Sequence, residues 1–164
     1  MLPSQGKSSV VGLDAIDQRI VAALVEDGRM STLDVAAKVG LSPTPCSRRI
    51  RRLEETGVIE GYTARVNPAA LGLHICVMVS VRLARHDPAG HSQFLAAIRE
   101  RPEITECLLV TGNIDYLLRA WVGGIEALRD FITEVLQAIP AVAETSTMVI
   151  LDVAKPSGFP PAHK

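Results

Sequence analysis

The sequence predicts an α+β protein in which a three-helix, winged-type helix-turn-helix is followed by a ferredoxin-like βαββαβ domain. Apolar residues recur every three or four positions up to residue 57, which is the period of an amphipathic helix. Cap-forming polar residues and glycines divide that stretch into three helices. After residue 68, strand-like runs and helical runs follow one another in the order β-α-β-β-α-β.

Capping residues define the three N-terminal helices. The first is predicted over residues 13–26, with Asp14 as its N-cap and Asp17 three positions on in the capping pattern. The second begins after the N-cap Ser31 and ends at Gly40, because glycine readily adopts the left-handed conformation that follows a helix. The third begins after Ser42. A short turn at a glycine between the last two helices is typical of a helix-turn-helix.

The third helix has two chemically different faces. At 100° per residue, Cys46, Ile50 and Leu53 share one stripe, which we expect to be buried. The polar residues at its start, on its opposite face and on its flanks are predicted to contact DNA: Ser42, Thr44, Ser47, Arg48, Arg49, Arg51 and Arg52. Arginine can pair with guanine through two hydrogen bonds, and hydroxyl groups can reach phosphates. The alternative is a solvated charged face, but the preceding pattern of caps favours DNA binding.

The remaining elements follow from period and turn residues. Strands are predicted at 58–66, 74–83, 105–110, 116–122 and 146–153, and helices at 88–100 and 125–139. The predicted organisation is a leader over 1–12, the helix-turn-helix domain over 13–57, a linker strand over 58–70, an effector-binding and oligomerisation domain over 71–154, and an extended tail over 155–164.

Composition excludes several classes of protein. The net charge is −1, so the basic character that DNA requires is local to the third helix. Three cysteines far apart argue against a disulfide framework and a zinc site, and the histidines lack metal-ligand spacing. The scattered cysteines favour the reducing cytoplasm. Residues 1–12 do not resemble a secretory signal, and no apolar stretch is long enough to span a membrane. No nucleophile elbow, P-loop or dinucleotide fingerprint is present. We therefore expect neither an enzyme nor a cofactor or metal.

The second domain has two features that bear on function. Cys76, Met78, Leu117 and Trp121 are expected on the sheet face that the helices do not cover, and such an apolar face favours a partner subunit. The run 111–116 is either a simple polar hairpin or a ligand site. In the second case, backbone N–H groups would bind a carboxylate and Asp115 would face an ammonium group.

Three segments resemble one family. The run LDAIDQRIVAALVEDGRMSTLDVAAKVGLSPTPCSRRIRRLEETGVIEGYTARVNPAALG is similar to the N-terminal half of the Lrp/AsnC (leucine-responsive, feast/famine) regulators. TGNIDYLLRAWV and ETSTMVILDVAK resemble that family's effector-sensing half. The resemblance covers residues 13–155.

The resemblance implies a sequence-specific transcription regulator whose oligomeric state or affinity for double-stranded DNA responds to a small effector, an amino acid. It also implies a homodimer that assembles into tetramers or octamers. The effector residues it implies are Thr111, Gly112, Asn113, Ile114, Asp115, Tyr116, Thr145 and Thr147. Two alternatives remain. One is a ligand-independent architectural DNA-binding protein, and the other, more remote, is an enzyme similar to sirohaem decarboxylases.

Overall fold

The computed structural model describes residues 12–84 and 87–155, which form two compact units divided between residues 65 and 66. Of the predicted leader and tail, all but Gly12 and Lys155 lie outside the described residues.

The N-terminal unit consists of three helices, α1 (Ala15–Glu26), α2 (Thr32–Val39) and α3 (Pro43–Glu55). Their caps are the predicted ones. The Asp14 and Asp17 side chains form a capping box at the start of α1, and the Ser31 hydroxyl accepts a hydrogen bond from the backbone N–H of Asp34 at the start of α2. Gly40 ends α2 with a φ of 76°. The predicted three-helix arrangement is confirmed.

A small core joins the three helices. Its buried residues come from all of them: Ile20, Ala23, Val35, Ala36, Val39, Cys46 and Leu53. The predicted stripe of α3 is therefore buried at Cys46 and Leu53, and Ile50 is half-buried beside it.

The strand predicted over 58–66 is wrong, since the structure assigns no strand to that segment. The Ile59 N–H donates to the Leu53 carbonyl at 3.0 Å, and the Tyr62 hydroxyl donates to Glu54 Oε1 at 2.9 Å, so both contacts return to α3. A strand requires a neighbouring strand with which to pair, and the segment pairs with none of the described strands. After it, the chain forms a 3₁₀ turn over Pro68–Leu71.

The second unit is a four-stranded antiparallel sheet with two helical segments. In chain order its elements are β1 (Ile75–Leu83), α4 (Pro88–Arg99), β2 (Ile104–Leu109), β3 (Tyr116–Val122), α5 (Ile125–Asp130, continued as a π-helix over Phe131–Leu136) and β4 (Val142–Val149). The strand order β2-β3-β1-β4 is that of a ferredoxin-like sheet and confirms the predicted topology.

Strand register separates the two faces of this sheet. Val77 lies opposite Ala120 and Val79 lies opposite Leu118, and these side chains form a core with buried helix residues such as Phe94. The last strand is displaced: it runs over Val142–Val149 and not over the predicted 146–153, so it begins and ends four residues early. Ala143 and Glu144 have low strand propensity, and residues 142–145 become a strand because they pair with the end of β1.

None of the helices in the described parts of the chain is both long and apolar enough to cross a membrane.

Candidate DNA-binding face and effector cavity

The predicted DNA-binding residues of α3 fall into two groups in the structure. Arg48 and Arg51 are exposed, as are the shorter side chains Ser42, Thr44 and Ser47 near the start of the helix. Within residues 12–84 and 87–155, neither Arg48 nor Arg51 forms an ion pair. These side chains form a polar surface opposite buried Cys46 and Leu53, and two uncommitted guanidinium groups lie on it.

Arg49 and Arg52 are held by carboxylates of α1 instead. Arg49 Nη1 lies 2.8 Å from Asp17 Oδ1 and 2.7 Å from Asp14 Oδ2. Arg52 forms an ion pair with Asp17 Oδ2. Asp17 is buried, whereas the Arg49 and Arg52 side chains are 28% and 47% exposed. The run of four arginines, which looks uniform in the sequence, is therefore divided into two paired and two free side chains.

Hydrogen bonds favour the charged forms of Asp14 and Arg49. The backbone N–H of Asp17 and then the Arg49 guanidinium lower the pKa of the Asp14 carboxyl. Hydrogen bonds to Asp14 and then to Asp17 raise the pKa of Arg49. Sequence reasoning treated Asp17 only as a capping residue. The sequence did contain evidence for a buried role, because Asp17 lies between Leu13 and Ile20 in the apolar stripe of α1. A carboxylate at a buried position needs a charged or hydrogen-bonding partner.

A cavity of about 410 Å³ lies beside the polar loop of the second unit. Its lining residues come from β1, the loop and β4: Ser80, Arg82, Asn113, Ile114, Glu144 and Ser146. Arg82 and Glu144 are cross-strand neighbours and form an ion pair, so one wall carries both signs of charge. The structure thus brings two of the predicted effector residues, Asn113 and Ile114, to a cavity.

Asp115 attaches the loop to the end of β1. Its N–H donates to the Val81 carbonyl at 2.9 Å, and its Oδ2 accepts a hydrogen bond from the Leu83 N–H at 2.8 Å. Thr111 and Gly112 are exposed, and Gly112 has a φ of 126°, which side chains rarely adopt. Asp115 therefore positions the loop beside the cavity.

The other three predicted effector residues lie on the helix-covered side of the sheet. Tyr116 is buried against Phe94, and its hydroxyl lies 2.8 Å from His91 Nδ1. Thr145 and Thr147 pair with Val81 and Val79, so their side chains share the face of those valines. Sequence reasoning missed Ser80, Arg82, Glu144 and Ser146, although the alternation along β1 placed Ser80 and Arg82 on the face of Met78.

The face of the sheet opposite the helices is partly apolar, as predicted. Cys76 lies opposite Trp121, Ser80 lies opposite Leu117, and Met78 lies opposite half-exposed Met148. This open sheet face, defined by Cys76, Met78, Leu117, Trp121 and Met148, is continuous across β1, β3 and β4.

The cysteines are uncharged at neutral pH. Burial raises the pKa of the Cys46 and Cys76 thiols, and it raises that of Cys107 to about 11. Since the thiolate is the reactive and metal-binding form, none of these thiols is activated. Among the described residues, no group of three or more His, Cys, Asp or Glu side chains is arranged to hold a metal ion.

Similarity to known proteins agrees with this division of the chain. Residues 13–54 match the AsnC-type helix-turn-helix domain, and residues 76–158 match the Lrp/AsnC ligand binding domain. The leucine-responsive regulatory proteins of Salmonella typhimurium and Escherichia coli K12 are 44% and 43% identical to this chain over 145 residues, which is 88% of each protein.

Solved structures of regulators have the same fold. A transcriptional regulator from Neisseria meningitidis in complex with L-Met has a TM-score of 0.88 at 30% identity, covering 93% of this chain and 99% of its own. An AsnC family regulator from Agrobacterium tumefaciens has a TM-score of 0.84 at 34% identity, covering 91% and 97%. With its DNA-binding helix-turn-helix and its ligand-binding domain, this chain is a transcription regulator of the Lrp/AsnC family.

Proposed function

We propose that this regulator reads DNA bases with Arg48 and Arg51, and that an amino acid bound at the second unit changes its DNA affinity or oligomeric state. The observation that supports base reading is the free guanidinium pair on the exposed face of α3, opposite the stripe that anchors the helix. A helix of this kind fits the major groove, where arginine pairs with guanine O6 and N7.

The N-terminal end of α3 is suited to bind phosphates of the DNA backbone. Pro43 and Pro45 have no N–H, so the first turn offers only the N–H of Thr44, and the helix dipole favours a phosphate there. The Ser42 side chain makes no capping hydrogen bond, so its hydroxyl is available to a phosphate oxygen. Thr44 and Ser47 follow on the exposed surface. These contacts would set the register of the helix, and Arg48 and Arg51 would supply the sequence preference.

Arg48→Ala and Arg51→Ala are each expected to weaken specific binding by about 1–3 kcal/mol, because each removes a two-bond contact to a base. Gel-shift titration against a binding site selected from random DNA measures the change. Arg99→Ala is the matched control, because Arg99 is an exposed arginine of α4 outside the DNA-binding face. If both α3 variants bind DNA with the affinity of the control, Arg48 and Arg51 do not contact the bases.

The proposed effector is a free amino acid, and its proposed site is the cavity lined by Asn113 and Ile114. Three observations support it: the ligand-binding family match, the L-Met in the structure of the Neisseria relative, and the wall formed by Arg82 and Glu144. A guanidinium and a carboxylate side by side complement the carboxylate and ammonium of a zwitterion. Of the other predicted effector residues, Thr111, Gly112 and Asp115 remain candidates at the loop. Tyr116, Thr145 and Thr147 would need to act from the opposite face of the sheet.

Thermal unfolding with each amino acid in turn tests the effector. A ligand that binds only the folded state stabilises it by about 2.7 kcal/mol at a concentration of 100 Kd, so one amino acid or a few related ones should raise Tm. Arg82→Gln and Glu144→Gln should each weaken that binding about tenfold or more, as a lost charged hydrogen bond implies. Arg129→Gln, which breaks an exposed ion pair on α5, is the control. If no amino acid raises Tm, the ligand-independent architectural alternative replaces the effector.

The open sheet face supports a proposed homodimer that assembles further into tetramers or octamers. Apolar side chains on an uncovered sheet gain stability when a second copy covers them. A two-fold dimer would present two α3 helices to a pseudo-palindromic site. Sedimentation of the intact chain measures the oligomeric state directly.

We also propose that the chain acts in the cytoplasm and has no catalytic activity of its own. The relatives named above are regulators, and a regulator of transcription acts where the DNA is. The sirohaem-decarboxylase-like alternative predicts tetrapyrrole binding, and an absorbance titration without a spectral change would exclude it.

A further inference from the structure

Asp17 is the one charged residue in the buried core of the described chain. It lies on α1 beside buried Ile20, in surroundings where an unpaired carboxylate is strongly disfavoured. A buried ion pair is not in itself a source of stability, because the cost of desolvation offsets the attraction between the charges.

Both oxygens of Asp17 bind arginines of α3. Oδ1 accepts from Arg49 at 2.8 Å, and Oδ2 accepts from the Arg52 guanidinium. Oδ2 also lies 3.3 Å from the backbone N–H of Asp14, whose own carboxylate accepts from Arg49 at 2.7 Å. The capped end of α1 is thus joined to the middle of α3 through charged hydrogen bonds, which are stronger than neutral ones.

This attachment has a geometric consequence for α3. Arg49 and Arg52 are three residues apart and lie about 60° from each other around the helix, since each residue turns by about 100°. Arg48 and Arg51 lie about 100° and about 160° from Arg49 around the helix, whereas Arg52 lies about 40° from Arg48, at the edge of the exposed face. A helix held at two points on one side has little freedom to rotate about its axis.

We infer that Asp17 is a positioning residue for DNA recognition: by holding Arg49 and Arg52, it orients α3 so that Arg48 and Arg51 face the DNA. It also withholds two cations from non-specific contact with phosphates. Specificity is a difference between two affinities, so both effects increase the preference for the correct site. The inference depends on the proposed role of Arg48 and Arg51.

Asp17→Asn tests the inference, because asparagine keeps the size and one acceptor oxygen but lacks the charge. We expect the ratio of specific to non-specific affinity to fall about tenfold or more. Non-specific binding should stay the same or tighten, since a released arginine can contact a phosphate. The slope of log K against log salt should then become steeper by about 0.9 for each phosphate gained. Gel shifts with specific and random duplexes at several salt concentrations measure all three quantities.

Asp27→Asn is the matched control, because it removes the same charge from an exposed position just after the other end of α1. It should change neither the affinity ratio nor the slope. If Asp17→Asn gives the values of this control, Asp17 has no positioning role. If it lowers both affinities by one factor at an unchanged slope, Asp17 only stabilises the fold, and the inference is overturned.

Arg52→Gln gives an independent test in case Asp17→Asn does not fold, which circular dichroism will show. Arg52 is half exposed, and its loss leaves the contact between Arg49 and Asp17 in place. We expect a lower affinity ratio and an unchanged salt slope, since the held Arg52 contacts no phosphate. A slope shallower by about 0.9 would show that Arg52 binds a phosphate and would overturn the inference. The gel shifts of Arg48→Ala and Arg51→Ala test independently whether these two arginines contact bases, so a failure of the proposed function can be told from a failure of this inference.

Discussion

Leu53→Ala is expected to destabilise the N-terminal unit by about 2–5 kcal/mol and to abolish specific DNA binding. Leu53 is completely buried in the core that joins α3 to α1 and α2. Truncation leaves a cavity and removes apolar contacts that so small a core cannot replace. A unit of about 50 residues has only a few kcal/mol of stability, so most of the molecules would lose the helix arrangement that presents Arg48 and Arg51.

Hydrogen exchange of the α1–α3 amides and gel shifts together measure this loss. Amide protection should fall throughout the three helices, because they share one core. Leu33→Ala is the control: Leu33 is 65% exposed on α2, so the variant should stay within about 0.5 kcal/mol of the unaltered protein. Unchanged protection in Leu53→Ala would mean that the three helices do not depend on this core.

Phe94→Ala is expected to cost about 3–5 kcal/mol of the free energy of unfolding of the second unit. Phe94 is the largest of the fully buried side chains among the described residues, and its ring centroid lies 4.7 Å from that of Tyr116. Tyr116 directly follows the loop that ends at Asp115. The cavity left by Phe94 should therefore also weaken effector binding, by loosening the strand that carries the loop.

Urea unfolding followed by fluorescence measures the change, because Trp121 is the only tryptophan and lies on β3 of this unit. Leu95→Ala is the control on the same helix, since Leu95 is 38% exposed. A Phe94→Ala midpoint equal to that of Leu95→Ala would contradict the assignment of α4 to the core of the sheet.

Much of the fold could be predicted from interactions between residues that are close together in the sequence. The caps Asp14 and Ser31 and the stop at Gly40 were predicted because each depends on residues within one or two helical turns. The alternation of Val77, Val79 and Val81 identified the buried face of β1 for the same reason. The order of elements then implied the antiparallel sheet, since few topologies satisfy it.

The pairing of strands that are distant in the sequence could not be predicted. The strand predicted over 58–66 has a suitable composition, but no strand of the described chain lies beside it, and β4 begins earlier than predicted because β1 provides it with a partner. A strand is defined by its neighbour as much as by its own residues.

The sequence by itself therefore determined the family resemblance, the two kinds of domain, the two faces of the third helix and the polar loop. Only the tertiary structure decided which side chains are free to act. It divided four similar arginines into a pair held by Asp17 and a pair facing solvent, and it put Arg82 and Glu144, rather than Thr145 and Thr147, beside Asn113. The reason is physical: helix periods and caps act over a few residues, whereas the contact between Arg49 and Asp17 and the contact between Arg82 and Glu144 join groups 32 and 62 positions apart.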